Sequence, residues 1–125
     1  MNEENMFGEP IYSYSRTQAI ADGVLIDLSQ VDSIKRHWKL PFACTSTVWA
    51  IVEAALEKPG QDVVGICHDI SVMAKIAVQG LKSSRESESI RFNVMIVGKT
   101  HALKLHIGPG DTPAPVLTLM LPNED

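Results

Sequence analysis

A chain of 125 residues, of which 45% are hydrophobic and 21% charged, has the composition of one globular domain and not of a disordered or fibrous protein. Its net charge of −4 argues against broad electrostatic binding to nucleic acid, which needs a basic surface. The one basic cluster, at Lys35, Arg36, His37 and Lys39, is typical of the solvated face of a short helix. Nucleic acid is therefore not among the expected partners.

The start of the chain shows no pattern of a folded or exported segment. Residues 1–10 are polar, acidic and aperiodic, so we predict a flexible tail there and a single domain over residues 11–125. The sequence has neither the basic and apolar regions of a signal peptide nor a run of about 18 apolar residues that would span a membrane. We therefore expect a cytoplasmic protein that does not bind membranes.

Apolar residues at helical spacing predict four helices in the first two thirds of the chain. Ser15 and Gln18 form a capping box, and Gly23 suits a helix end. The apolar residues between Val63 and Leu81 follow the 3.6-residue period and predict the central helix of the core. The predicted helices cover residues 15–22, 29–40, 45–58 and 62–82, and the apolar residues 24–26 are assigned as a link.

The last third of the sequence changes to the alternating period of β-strands. Residues 90–96 and 101–107 alternate around a hairpin turn at residues 98–100, and residues 116–121 form a third strand. The predicted fold class is therefore α+β, with about four N-terminal helices packed on one face of a C-terminal three-stranded antiparallel meander. We also predict that the terminal strand is a sheet edge, which would allow a homodimer to form through it.

The strand pattern assigns the side chains of the sheet to two faces. The apolar residues predicted to face the helices are Ile90, Phe92, Val94, Ile96, Leu103, Leu105 and Ile107. The residues predicted to point outward are Arg91, Asn93, Lys104, His106 and Thr118. This outer polar face is interpreted either as plain solvent surface or as a binding face.

Two motifs resemble those of a known family. The chain has IYSYSR at residues 11–16 and QAIADGVL at residues 18–25, and it closes with GPGD at residues 108–111, LTLMLP at residues 117–122 and an acidic tail. In these features it resembles a family of small uncharacterised bacterial proteins, often encoded on plasmids, phages and other mobile elements. Val72 stands where a tryptophan is common in that family's central helix. The resemblance implies no catalytic residue and no cofactor.

The same two motifs contain the candidate binding residues. The turn at residues 108–111 would let a ligand approach the backbone beside the Asp111 carboxylate; the alternative is a tight turn in which Asp111 binds local amides. Tyr12, Tyr14 and Arg16 are residue types frequent at binding hot spots. Their alternative role is structural, with Ser15 capping a helix and both tyrosines packed on the core.

The cysteines and histidines do not form a recognisable metal site. Cys44 and Cys67 lie in apolar surroundings, so free buried thiols are expected, with a disulfide as the alternative. His101 and His106 are five residues apart, so a strand would point them to opposite faces. The sequence therefore predicts no metal and no cofactor.

Two functions fit these observations. The favoured one is a non-enzymatic accessory factor of a mobile element that binds a protein partner, with inhibition of a host-defence nuclease as one version. The alternative is a small-ligand-binding protein or small enzyme whose site joins Tyr14, Arg16, His106 and Asp111. That alternative requires Arg16 and Asp111 to share one pocket.

Overall fold

The computed structural model describes residues 14–80 and 88–124, apart from the side chain of Glu88. The predicted tail at residues 1–10 and the last two residues of the helix predicted over residues 62–82 fall outside these ranges. The described residues form α1 (Arg16–Ala21), β1 (Leu25–Asp27), α2 (Asp32–His37), β2 (Phe42–Thr45), α3 (Ser46–Leu56), α4 (Val63–Gln79), β3 (Glu88–Ile96), β4 (Lys99–Pro109) and β5 (Pro115–Met120). None of these helices is long and apolar enough to cross a membrane.

The strands form one mixed sheet in the order β1-β2-β5-β4-β3, so the predicted three-stranded antiparallel meander was wrong. β2 runs parallel to β5, whereas the other neighbouring pairs are antiparallel. The prediction missed β1 and β2 because they have only three and four residues. Segments this short do not show the alternating period by which a strand is recognised in a sequence.

The terminal strand β5 lies at the centre of the sheet, which contradicts the prediction that it forms an edge. It pairs with β2 on one side and with β4 on the other, and β1 and β3 are the edge strands. Its residues from Leu117 to Met120 are all buried. A nearly continuous run of apolar residues is typical of a strand that is covered on both faces. In a short terminal segment the same run also fits an edge strand packed on a core, so the pattern did not distinguish the two positions.

The inner face of the sheet contains the core, and the predicted division of side chains between the two faces is confirmed. Leu103, Leu105, Leu117 and Leu119 are almost completely buried on this face. Residues of α3 and α4 cover them from one side, namely Val48, Val52, Ala55, Ile66, Cys67, Ile70 and Ala74. This packing explains the helical period of the central helix, because its apolar stripe is the part that meets the sheet.

Polar side chains attach α2 to α4 inside this layer. Ser33 Oγ donates to the carbonyl of Val64 at 2.8 Å, and the Trp38 indole N–H donates to Ser71 Oγ at 2.9 Å. His37 Nδ1 lies 2.9 Å from the carbonyl of Ser33 and 2.9 Å from Ser71 Oγ. Because a carbonyl only accepts, Nδ1 carries the proton in this arrangement. The buried hydroxyl of Ser71 is thereby satisfied.

Side-chain caps define the starts of three helices as the sequence predicts. Ser15 Oγ accepts from Gln18 N at 3.0 Å, Thr45 Oγ1 from Val48 N at 3.4 Å, and Asp62 Oδ1 from Gly65 N at 2.7 Å. Not every helix lies on one face, however. Arg16 of α1 contacts Thr118 on the outer face of β5, so α1 lies on the side of the sheet opposite to α3 and α4. The predicted packing of all helices on one face is therefore wrong for α1. Because α1 packs on the outer face, a site forms there between the helix and the sheet.

The turn between β3 and β4 has an unusual residue in the left-handed region. The turn consists of Val97 and Gly98, with φ of 49° and 75°, whereas residues 98–100 were predicted; Lys99 and Thr100 belong to β4. A two-residue hairpin turn with two positive φ values favours Asn, Asp or Gly at its first position. A β-branched side chain there is strained because its Cβ crowds the backbone.

Burial predicts very different roles for two isoleucines of α4. Ile70 is 1% exposed and Ile76 is 56% exposed. We expect Ile70→Ala to lower the free energy of unfolding by about 2–5 kcal/mol because it leaves a cavity. Ile76→Ala, the matched control, should change it by less than about 0.5 kcal/mol. Urea denaturation followed by circular dichroism measures both; equal losses would contradict the assignment of the α4 core face.

The strain at Val97 gives a second prediction on stability. Asn adopts the left-handed region more readily than Val, so Val97→Asn should raise the free energy of unfolding by about 1 kcal/mol. Val64→Asn is the control, because Val64 is similarly exposed but lies in a helix, where Asn brings no gain. The same denaturation experiment decides the point, and a loss of stability in Val97→Asn would show that the turn is not strained.

Candidate functional site

A cavity of about 490 Å³ opens on the outer face of the sheet, where α1 crosses it. Its walls come from α1, the start of α3, the loop between β4 and β5, and the end of the chain. The lining residues are Tyr14, Ser15, Arg16, Ala19, Val24, Leu25, Thr45, Ser46, His106, Pro109, Gly110, Asp111, Val116, Thr118, Met120 and Glu124. We call this space the outer-face cavity.

Asp111 attaches the β4–β5 loop to the start of α1. Its Oδ1 accepts from Arg16 N at 2.6 Å, and its Oδ2 accepts from Thr17 N at 3.1 Å and from Thr17 Oγ1 at 2.7 Å. The first N–H groups of a helix have no partner within the helix, and a carboxylate satisfies them well. The Thr17 hydroxyl and the two N–H groups hold the pKa of Asp111 below its usual range. Asp111 therefore binds amides, as one sequence alternative proposed, but amides of a distant helix.

Arg16 attaches the same helix to β5. One guanidinium nitrogen donates to Thr118 Oγ1 and the other to the carbonyl of Leu117, both at 2.7 Å. Burial lowers the pKa of the Arg16 guanidinium, and the negative charges of Asp27 and Asp111 oppose that change. Arginine stays protonated throughout the physiological range, so a partly buried positive charge lies at the wall of the cavity.

The strand register places a row of side chains across the outer face. Asp27 pairs with Ala43, Ala43 with Thr118, Thr118 with His106, and His106 with Ser89. His106 Nδ1 and Ser89 Oγ lie 3.0 Å apart. This row passes directly beneath Arg16, so the sheet presents an imidazole and a carboxylate on either side of the guanidinium.

Glu124 closes the cavity at the end of the chain. Its Oε1 accepts from Thr45 Oγ1 and from Leu121 N, each at 2.8 Å, and its Oε2 accepts from Thr47 Oγ1 at 2.7 Å. Burial favours the protonated form of Glu124, but these hydrogen bonds and Lys104 outweigh it and lower the pKa. Lys104 Nζ also donates to the Glu124 carbonyl at 2.6 Å.

The structure brings together four of the five residues selected from the sequence. Tyr14, Arg16, His106 and Asp111 all line the outer-face cavity, and the Tyr14 hydroxyl donates to Asp22 at 2.6 Å. Tyr12 lies outside the described residues. Sequence reasoning did not select Glu124 or Thr45 as site residues. In the sequence, Glu124 is only one acid of the terminal tail, and Thr45 is only a threonine suited to cap α3. Their meeting depends on β5 entering the sheet beside β2.

No metal site is apparent in the described ranges 14–80 and 88–124, where no three His, Cys, Asp or Glu side chains cluster suitably. Cys44 and Cys67 are both free and buried in the core. Burial raises the pKa of Cys44 to about 12 and that of Cys67 to about 11. Such thiols are protonated at neutral pH and react slowly.

The comparison with known families identifies the chain at the family level. The sequence model described as "Family of unknown function (DUF6573)" matches residues 1–125, which is the whole chain. The chain belongs to the DUF6573 family. No curated protein and no solved structure gave a match. Family membership agrees with the resemblance to a family of uncharacterised proteins, and it adds neither an activity nor a link to plasmids or phages.

The contacts of Asp111 predict a pH-dependent loss of stability. Its folded-state pKa is lower than that of the unfolded chain, so its stabilising effect is complete above about pH 4 and is lost as the pH falls through the folded-state value. Asp111→Asn should therefore lower the thermal midpoint at neutral pH and make no difference in strong acid. Calorimetry between neutral and acid pH measures this, with exposed Asp69→Asn as control. A deficit independent of pH would contradict the ionic role.

Proposed function

We propose that this protein is a non-enzymatic binding protein that recognises a partner protein through the outer-face cavity. The observation that supports this is the meeting of Tyr14, Arg16, His106 and Asp111 in one cavity of about 490 Å³. These residues come from both ends of the chain and from strands of a folded sheet. Hydrogen bonds from Arg16 and Asp111 join the walls of this cavity, so the site is formed before a partner binds, which lowers the cost of binding.

The electrostatics of the cavity favour binding over proton transfer. Asp111 and Glu124 each accept three hydrogen bonds, and the pKa of each is lowered. An ionised carboxylate with its oxygens occupied is a weak base and cannot donate a proton at neutral pH. Asp111 and Glu124 therefore have a structural role in the wall of the outer-face cavity.

The unused N–H donors of Arg16 suit a hydrogen-bond acceptor of the partner. Arg16 uses two of its N–H donors on Thr118 and Leu117, and a guanidinium has five. His106 and Lys104 lie on the same face of the sheet. An oxygen acceptor of a partner protein would meet Arg16 at the wall of the cavity, where partial burial strengthens the hydrogen bond.

The proposed biological setting comes from the family resemblance. We propose that the protein is a cytoplasmic accessory factor of a mobile element and that one version of its role is the inhibition of a host-defence nuclease. The motifs at residues 11–25 and 108–122, which carry the resemblance, support this setting. Residues of both motifs, from Tyr14 to Leu25 and from Pro109 to Met120, also line the cavity.

A small anionic ligand is the second candidate. The cavity volume of about 490 Å³ falls within the range of roughly 300–1,000 Å³ that is usual for small-molecule sites. The same Arg16 donors would bind a carboxylate or phosphate of such a ligand.

The experiment that tests the proposal fills the cavity without removing a hydrogen bond. Val24 lines the cavity and is 49% exposed, so Val24→Phe should obstruct it while leaving the fold intact. Val64 is 47% exposed on α4 and lies outside the cavity, which makes Val64→Phe the matched control. We expect tagged Val24→Phe to retain at least about tenfold less of its protein partner from a bacterial lysate than Val64→Phe does.

The outcomes separate the two candidates. A stoichiometric protein partner lost only in Val24→Phe would support protein binding. If the ligand is a small anion, native mass spectrometry of the same preparations would instead show it. The mass of a bound small ligand would be present in Val64→Phe and absent from Val24→Phe. Equal behaviour of both variants in both measurements would show that the outer-face cavity is not the binding site.

A further inference from the structure

A second cavity of about 420 Å³ lies between α3 and the tip of the β3–β4 hairpin, on the side of the sheet opposite to α1. We call it the hairpin groove. It is lined by Ala50, Ile51, Ala54, Ala55, Lys58, Ile96, Val97, Lys99 and His101. Register places Ile96 opposite Lys99, and His101 opposite Val94, so Lys99 and His101 share the inner face with the core residues of the hairpin.

The apolar wall of the groove includes the strained residue of the structure. Val97 is 40% exposed although its φ is 49°, a conformation in which Asn or Gly would be favoured. An exposed apolar side chain kept in an unfavourable backbone conformation contributes little to the fold of the isolated chain. Strain of this kind concentrates at sites that serve binding, and here it holds a valine at the edge of an open groove.

The charge of the groove is opposite to that of the whole chain. Lys58, Lys99 and His101 are among its lining residues, and no Asp or Glu is. The chain as a whole has 15 acidic and 11 basic residues excluding histidine. Lys58 follows the end of α3, and Lys99 and His101 lie on β4. The groove is thus a local basic surface that attracts an acidic partner.

We propose that the hairpin groove binds an acidic segment of a partner protein, with one apolar side chain of that segment held between α3 and Val97 and its carboxylates beside Lys58 and Lys99. The apolar lining provides the anchor, and the lysines set the charge of the flanking residues. This site is separate from the outer-face cavity and does not depend on the function proposed for that cavity.

A phage-displayed random peptide library, panned on the full chain, is the probe that tests the proposal. One bait is the wild-type protein and the other carries Val97→Asn, Lys58→Glu and Lys99→Glu. We expect the wild-type bait alone to enrich peptides that combine a large apolar residue with flanking Asp or Glu. Binding of an enriched synthetic peptide should weaken at least about tenfold in Val97→Asn, a variant that the turn geometry predicts to fold more stably. Added salt should weaken it further.

Two controls make a negative result decisive. The double variant Lys35→Glu and Lys39→Glu changes the charge equally on α2 and just after it, away from the groove, and should leave peptide affinity within a small factor of wild type. Val24→Phe should leave it unchanged as well, because Val24 lines the other cavity. Three outcomes would each overturn the proposal: both baits enrich the same peptides, neither bait enriches any peptide, or the control substitutions weaken peptide binding as much as Val97→Asn does.

Discussion

The position of β5 between β2 and β4 is the constraint on which the rest of the structure depends. Its parallel pairing with β2 joins the first half of the chain to the last, and its antiparallel pairing with β4 joins the two longest strands to the same sheet. Leu117 and Leu119 fill the core beneath α3, while Thr118 and the carbonyl of Leu117 receive Arg16. Moving this strand by one residue would exchange its two faces and destroy both the core and the site.

Helix α1 is held on the outer face by polar contacts. It has only six residues, too few for an isolated helix to persist in water. Asp111 satisfies its first N–H groups, and Arg16 holds it to β5. These contacts explain why the two terminal motifs occur together in one chain: each supplies half of the same junction. A ligand in the cavity would therefore touch residues that also maintain the fold.

The two cavities lie on opposite sides of the sheet and differ in chemistry. The outer-face cavity has hydrogen-bonded carboxylates beside a guanidinium, whereas the hairpin groove has an apolar lining with lysines and a histidine. The hairpin groove also differs from the outer-face cavity in backbone strain. Its lining residue Val97 has a strained backbone conformation that a different turn residue would relieve.

The sequence by itself determined the approximate positions of the four helices, the caps of three of them, the hairpin and the two faces of its strands, because each depends on neighbours within a few residues. The period of α4 and the alternation of β3 and β4 are signals of this local kind. It also selected Arg16 and Asp111, since their motifs stand outside the pattern of the core. Only the tertiary structure decided the five-stranded order, the central place of β5 and the entry of Glu124 into the site. The parallel contact of β2 with β5 joins residues such as Phe42 and Leu117 that no local pattern relates, because pairing between distant segments depends on the packing of the whole core.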